Sequence, residues 1–226
     1  MLHDKWLSNL LSKDAYHINN LIDLKKSDLN IKNVFIDAKV NSSDIKSIIK
    51  LQELGFKCIE VGVQLVKEYP YRFFNENNNY IREARKEDES YVRKLSSISF
   101  NKSRFYKDPQ IPIKIASKIK EEWAGNFFSG RRGDRLFIAQ ERDSILGFLL
   151  ILKNLNGITI DLIAVDKIKR RSGLGKEMIF LASRECENPN DIIKVGTQID
   201  NLNAINFYSS MGFKINSSNL IFHLHL

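Results

Sequence analysis

Residues 158–176, ITIDLIAVDKIKRRSGLGK, constrain this chain more than any other stretch. Residues 158–165 alternate. Ile158, Ile160, Leu162 and Ala164 take one face, and Thr159, Asp161, Ile163 and Val165 the other, which is the pattern of a strand. A polar turn, 166–169, leads into Arg170-Arg171-Ser172-Gly173-Leu174-Gly175-Lys176 and then a helical run through Met178, Ile179, Leu181 and Ala182. Strand, glycine-bearing turn and helix together aim successive backbone N–H groups at one point, at the positive end of a helix. That is a seat for an anion such as a pyrophosphate. Glycines at 173 and 175 let phosphates approach the backbone with no Cβ in the way. A nucleoside-triphosphate loop needs Ser or Thr after Gly-Lys, and Glu177 stands there. A dinucleotide fingerprint needs a small residue where Met178 stands. What remains is Arg170-x-x-Gly173-x-Gly175, a string that also fits an ordinary helix start with an incidental glycine pair.

A second string lies downstream, after a strand expected at 192–197. It reads Asn201-x-x-Ala204-x-x-Phe207-Tyr208-x-x-x-Gly212-Phe213. The two strings, in this order and on these elements, resemble the signature of the GNAT acyltransferases. The resemblance implies an α+β fold, with a mixed, mostly antiparallel central sheet flanked by helices. It implies acetyl-CoA as co-substrate and no metal. It also implies that the loop of Arg170, Arg171, Ser172, Gly173, Leu174, Gly175 and Lys176 holds the coenzyme pyrophosphate. The strand residues Ile163, Ala164 and Val165 would bond the pantetheine arm and supply an oxyanion donor, where that strand parts from its neighbour at a bulge. Asn201 and Asn203 are either coenzyme contacts or helix N-caps. Tyr208 is the implied general acid for the departing thiolate. Its ordinary pKa of about 10 lies above a thiol's roughly 8.5, so it stays protonated until needed; the alternative is a helix tyrosine packed beside Phe207. The family's chemistry is direct attack by an amine, and no cysteine or serine here stands in a nucleophile arrangement. No general base is evident. Asp108 and Asp161 are carboxylates at interesting places, and water serves as well.

The segment Ser103-Arg104-Phe105-Tyr106-Lys107-Asp108-Pro109 presents a cation, two rings and a carboxylate. It could grip a nucleotide base and diphosphate; equally, Phe105 and Tyr106 could plug the core while Arg104 and Asp108 pair, and chemistry alone favours the plug. Ser-Arg-Phe-x-x-Asp-Pro, the Pro112-started helix with its central Trp123, and Gly130-Arg131-Arg132-Gly133-Asp134 together resemble the sugar-amine branch of the GNAT enzymes. These are of the dTDP-fucosamine acetyltransferase type, acting on dTDP-4-amino-4,6-dideoxy sugars. That likeness spans about 81–226 and implies Arg104, Phe105, Tyr106 and Asp108 as substrate-binding residues. It implies a nucleotide sugar as partner, in cell-surface polysaccharide assembly. One departure is a tyrosine, Tyr106, where histidine is expected. Other readings are transfer to a polyamine or protein N-terminus, or a non-catalytic CoA-binding sensor.

Two domains are expected: a small β-α-β block, 1–79, and the acetyltransferase domain, 80–226. The asparagine-rich 71–79 forms the boundary. Inside the first block, Asn41…Leu54-Gly55-Phe56-Lys57 echoes Asn201…Met211-Gly212-Phe213-Lys214. The helix lengths, as patterned, differ. The echo is either a truncated acyltransferase-like half or the common Gly-Phe exit from an amphipathic helix. A final strand, 220–226, puts His223 and His225 opposite Leu220, Phe222, Leu224 and Leu226. With no third ligand evident, these are read as solvent-facing rather than metal-binding. The formal net charge of +8 comes without a contiguous basic tract, so it argues for a lysine-rich surface rather than nucleic-acid binding. Cys58 and Cys186 have no metal or redox spacing and are expected to be small buried residues. No signal peptide or membrane-spanning run is recognised, so a cytoplasmic location without membrane insertion is expected, and a homodimer is compatible.

Overall fold

A computed structural model describes residues 1–22, 24–68, 81–142 and 144–226. Its strands are β1 (Leu2–His3), β2 (Asp14–Ile18), β3 (Val34–Asn41), β4 (Lys57–Glu68), β5 (Ile81–Glu83), β6 (Arg135–Glu141), β7 (Ser144–Asn154), β8 (Gly157–Val165), β9 (Ile192–Gln198) and β10 (Lys214–His225). Its α-helices are α1 (Lys5–Leu11), α2 (Ile45–Glu53), α3 (Glu89–Ser99), α4 (Arg104–Lys107), α5 (Ile113–Gly125), α6 (Leu174–Ser183) and α7 (Leu202–Ser210). All the strands join one sheet in the order β1-β2-β3-β10-β4-β9-β8-β7-β6-β5. Among the described residues only β2–β3 and β8–β9 pair in parallel, so the sheet is mixed and mostly antiparallel, as expected.

The sheet is buried on both faces. On one, Leu51 and Phe56 of the α2 region pack with Phe222 and Leu224, and α6 and α7 cover Val63, Val195 and Ile160. On the other, α3 and α5 cover Leu136, Phe148 and Leu162, while α1 and α4 cover Phe35. The period-two reading of residues 158–165 is corrected here. The β7–β8 register slips between Leu150 and Ile151, leaving Asp161 as the extra residue of a bulge. One inserted residue reverses the phase, so Ile158 and Ile160 face α6 while Leu162 and Ala164 face α3 and α5.

The two echoing units interleave. β3 and β4 flank β10, and β10 and β9 flank β4. Contrary to the lengths patterned from sequence, α2 and α7 each have nine residues. Both exit through a left-handed glycine, Gly55 at φ +89° and Gly212 at φ +83°. Asp44 caps α2, its carboxylate accepting from the Ser47 amide. Aligned on those glycines, Leu51 stands in the first unit where Tyr208 stands in the second. The 71–79 boundary lies outside the described residues, and strands from before and after it form the one continuous sheet.

Candidate active site

β8 and β9 pair only from Gly157↔Ile192 to Ile160↔Val195. Past that point the bulge at Asp161 turns β8 away, and residues 161–165 run on without β9. Alternate amides of a strand point to its free edge, so this opening is a slot walled by unpaired backbone donors. Ile163, Ala164 and Val165 lie along it.

At the end of β8 the chain turns through a short 3-10 segment, with Asp166 accepting from the Ile168 amide, and enters α6. Arg171 has φ +65° and Gly173, the N-cap, has φ +91°. The left-handed positions crowd consecutive amides toward one side. Among the described residues, the amides of Arg171, Ser172, Gly173, Leu174 and Gly175 find no acceptor, while that of Lys176 bonds the Gly173 carbonyl at 2.8 Å. Five free donors at a helix N-terminus are the physical content of an anion seat. The Arg170 Nε donates to the Val165 carbonyl at 3.2 Å, pinning the loop to the strand. A Cβ on Gly175 would come within 3.1 Å of the Phe207 ring, so that glycine is where α6 packs against α7.

Tyr208, in α7, is 4% exposed, between the Phe207 and Phe213 rings. Burial raises its hydroxyl pKa above the ordinary range. Asn201 occupies the N-cap position of α7 but does not cap with its side chain, which donates to Thr197 Oγ1 at 3.2 Å. Asn203 is exposed.

On the opposite face a cavity of about 490 Å³ opens between α1, α4, α5 and the strands β2, β3 and β10. From the Arg104–Asp108 segment it takes Arg104 and Phe105, not Tyr106 or Asp108. The plug reading therefore describes most of that segment. Phe105 is buried, and the Tyr106 hydroxyl donates to the Ser97 carbonyl at 2.9 Å. The expected Arg104–Asp108 pair is corrected: Arg104 pairs with Asp37. Asp108 is 2% exposed, and its Oδ2 faces His223 Nδ1 at 2.6 Å and His225 Nε2 at 2.8 Å. It does not face the cavity. The solvent-facing reading of His223 and His225 is overturned with it: the Phe105 ring lies against His223, Lys13 reaches His225, and both side chains are buried.

Asp108, His223 and His225 bring their ligating atoms within 4.8 Å of one another, so the third group of a metal cluster does exist. Its hydrogen bonds argue against a metal. Arg104 can only donate, and it reaches His223 Nε2 at 3.2 Å; Lys13 can only donate, and it reaches His225 Nδ1 at 3.0 Å. Each ring therefore carries its hydrogen on the nitrogen facing Asp108, and neither offers a lone pair there. Burial alone would raise the Asp108 pKa, but the bonds from His223 and His225 outweigh it and hold the carboxyl well below its usual range. Burial and the Arg104 charge in turn keep His223 neutral. Asp161 is equally committed, to Arg132 at 2.6 and 2.7 Å and to Trp123 Nε1 at 2.9 Å. Sequence reasoning missed Glu60, a buried carboxylate on β4 whose Oε2 has no partner among the described residues. Its signal was a carboxylate between the apolar residues Ile59 and Val61 of β4. Of the two cysteines, Cys58 is exposed rather than buried and Cys186 is half-buried.

Residues 110–223, just over half of the chain, match the domain family described as Acetyltransferase (GNAT) domain. Over 198 residues the chain is 28% identical to the spore coat polysaccharide biosynthesis protein SpsD of Bacillus subtilis (strain 168), a span of 84% of this chain and 66% of that relative. The fold is similar to that of a functionally unknown conserved protein from Staphylococcus epidermidis ATCC 12228, with TM-score 0.61 and 16% identity over 88% of this chain and 75% of that one. It is also similar to a GNAT-family protein from Novosphingobium aromaticivorans DSM 12444, with TM-score 0.55 and 14% identity over 76% and 67%. At these identities the two structures speak to fold alone.

Proposed function

Because this chain belongs to the GNAT acetyltransferase family, whose members use acetyl-CoA, we propose that it moves acetyl from that thioester to the amino group of a nucleotide-linked deoxyamino sugar. The dTDP-4-amino-4,6-dideoxyhexose type is the acceptor class favoured, in polysaccharide biosynthesis. The observation that carries the acetyl-CoA part is the row of five unpartnered amides at 171–175, set at the mouth of the β8–β9 slot. The pyrophosphate takes those amides, and Arg170, Arg171 and Lys176 add positive charge around it. The pantetheine arm runs along Ile163, Ala164 and Val165 as a third strand would, with one of those amides left to meet the oxyanion.

The acceptor enters from the other face. The cavity there holds Lys39 and Arg131 at its edge and Trp6 on its wall. Asn126, also on the wall and 8% exposed, has an Oδ1 with no partner among the described residues. Two cations suit a diphosphate, a ring suits a base, and an unpaired amide oxygen suits an N–H of that base. The name of the SpsD relative, which concerns a coat polysaccharide, points the same way.

The reaction is then direct attack. The amine nitrogen forms a bond to the thioester carbon, the carbonyl electron pair moves to oxygen, and its return expels the thiolate, which Tyr208 protonates. Asn201 and Asn203 sit at the α7 end of the coenzyme path. A thiol-release screen over dTDP-, UDP- and GDP-linked amino sugars, beside polyamines and peptides, tests the assignment. Turnover confined to polyamines or peptides would transfer the reading to those amines. Acetyl-CoA binding without turnover on any of them would make the protein a coenzyme sensor. No helix among the described residues is long and apolar enough to cross a membrane.

A further inference from the structure

Acetyl transfer needs an uncharged nitrogen, so a proton must leave the acceptor before or during attack. Asp108 and Asp161, the carboxylates nearest the acceptor face in sequence terms, have their oxygens occupied by strong donors and are poor candidates. Glu60 differs. It is 7% exposed. Its side chain bonds Gln198, while Oε2 has no hydrogen-bond partner among the described residues. The charged groups facing it are Lys107 and Arg104 from α4 and Lys120 from α5, and they only partly offset the rise in its pKa that burial causes. A buried oxygen left half-satisfied is costly unless a ligand completes it.

Its position fits a ligand. Glu60 lies opposite Ile221 in the β4–β10 ladder, and opposed residues share a face. Ile221 forms part of the floor of the acceptor cavity. On its other side, Glu60 meets Gln198, the last residue of β9, beyond the point where β8 and β9 separate. Trp123 and Arg132, which hold Asp161, line that cavity together with Ile221, so the β4 carboxylate and the β8 bulge stand on one face of the sheet, beside the cavity. Tyr208 lies on the other face, in the cluster with Val63 and Leu65.

Resting on the acetyl-transfer reading above, we infer that Glu60 is the group that takes the proton from the acceptor amine. The bound ammonium gives one proton to Oε2, and the freed lone pair forms the C–N bond as the C=O π pair moves to oxygen. That pair returns and the C–S bond breaks. The second proton lost from nitrogen passes to solvent, which restores the one Tyr208 gives to the thiolate. Glu60 then releases its own proton. Proton removal and proton delivery are thus assigned to opposite faces of one sheet.

The test uses Glu60→Gln and Glu60→Asp in the full chain, with acetyl-CoA titrated by calorimetry. Thiol release is followed across pH with each amine of the dTDP- and UDP-amino-sugar and spermidine panel that the wild type accepts. The expected result for E60Q is a fall in kcat of about 100-fold, acetyl-CoA affinity kept, and loss of the acidic limb of the kcat/KM profile. E60D keeps part of the rate and moves that limb. Turnover by E60Q within about threefold of wild type, with the limb unmoved, overturns the assignment and leaves acetyl transfer standing. Weakened acetyl-CoA binding in E60Q also overturns it, as a structural role. A wild type that binds no acetyl-CoA, or binds it and acetylates no amine, overturns both. Should E60Q not fold, E60D decides on the same criteria.

Discussion

His223 Nδ1 and Asp108 Oδ2 meet at 2.6 Å across 115 positions of chain, with almost no solvent at either side chain. The bond ties β10 to the segment between α4 and α5, and so holds one wall of the cavity between α1, α4 and α5 to its floor. Replacing Asp108 by Ala leaves two ring N–H groups buried and unpaired, at a cost of about 3 kcal/mol. Urea denaturation at neutral pH measures it; a loss well under 1 kcal/mol would show that the pair is not a structural tie.

The same pair sets an acid response. The folded Asp108 pKa lies below the unfolded value of about 3.9, so its contribution is whole above that pH and lost as pH falls through the folded value. The folded His223 pKa lies below the unfolded value of about 6.5, so below that pH the unfolded chain binds a proton the folded chain resists. Both signs run the same way. Stability should decline as pH drops under about 6.5, and again under about 4. In Asp108→Ala the second decline should shrink, as thermal melts against pH would record.

Tyr208→Phe removes the hydroxyl and keeps the packing between Phe207 and Phe213. Turnover should fall by about 100-fold with acetyl-CoA affinity almost unchanged. Equal activity of the two proteins across pH would remove the hydroxyl from the reaction.

Gly173→Val puts a β-branched residue at φ +91°, a conformation it resists by about 1–3 kcal/mol. The loop escapes by turning its amides, and acetyl-CoA affinity should drop at least tenfold by calorimetry, or about 1.4 kcal/mol. Unchanged affinity would refute the phosphate seat.

Arg131→Ala acts on the other substrate. Arg131 stands at the cavity edge with its Nε on Ser129 Oγ. Its loss should raise the KM for a nucleotide sugar about tenfold with acetyl-CoA binding intact, the mark of a lost phosphate contact. A KM that does not move would place the diphosphate elsewhere.

What was legible in the sequence was local. The strand, turn and helix of 158–176 could be read because alternation, two glycines and a helical run sit within one short stretch; Gly55 and Gly212 announced their helix ends for the same reason. The bulge at Asp161 could not be read, because nothing in an alternating string marks where a partner strand will slip. Nor could the fate of His223 and His225. Around these two residues both faces of β10 are covered, and the polar one is satisfied by Asp108 and Arg104 from far upstream. The sequence pattern also offered Asp108 as a ligand-facing group when its acceptors were committed inward, and it passed over Glu60, which stands out only once the fold buries it opposite Ile221 with Oε2 unpartnered among the described residues.

The interleaving of β3, β10, β4 and β9 carries a consequence for assembly. Ser42 and Ser218 join across 176 positions, so the two early strands stay separated until the late one slides between them. During synthesis the first unit must wait, its hydrogen-bonding edges bare, for most of the polypeptide to emerge. Damage to β10 would therefore harm the opening third of the chain as much as the closing one.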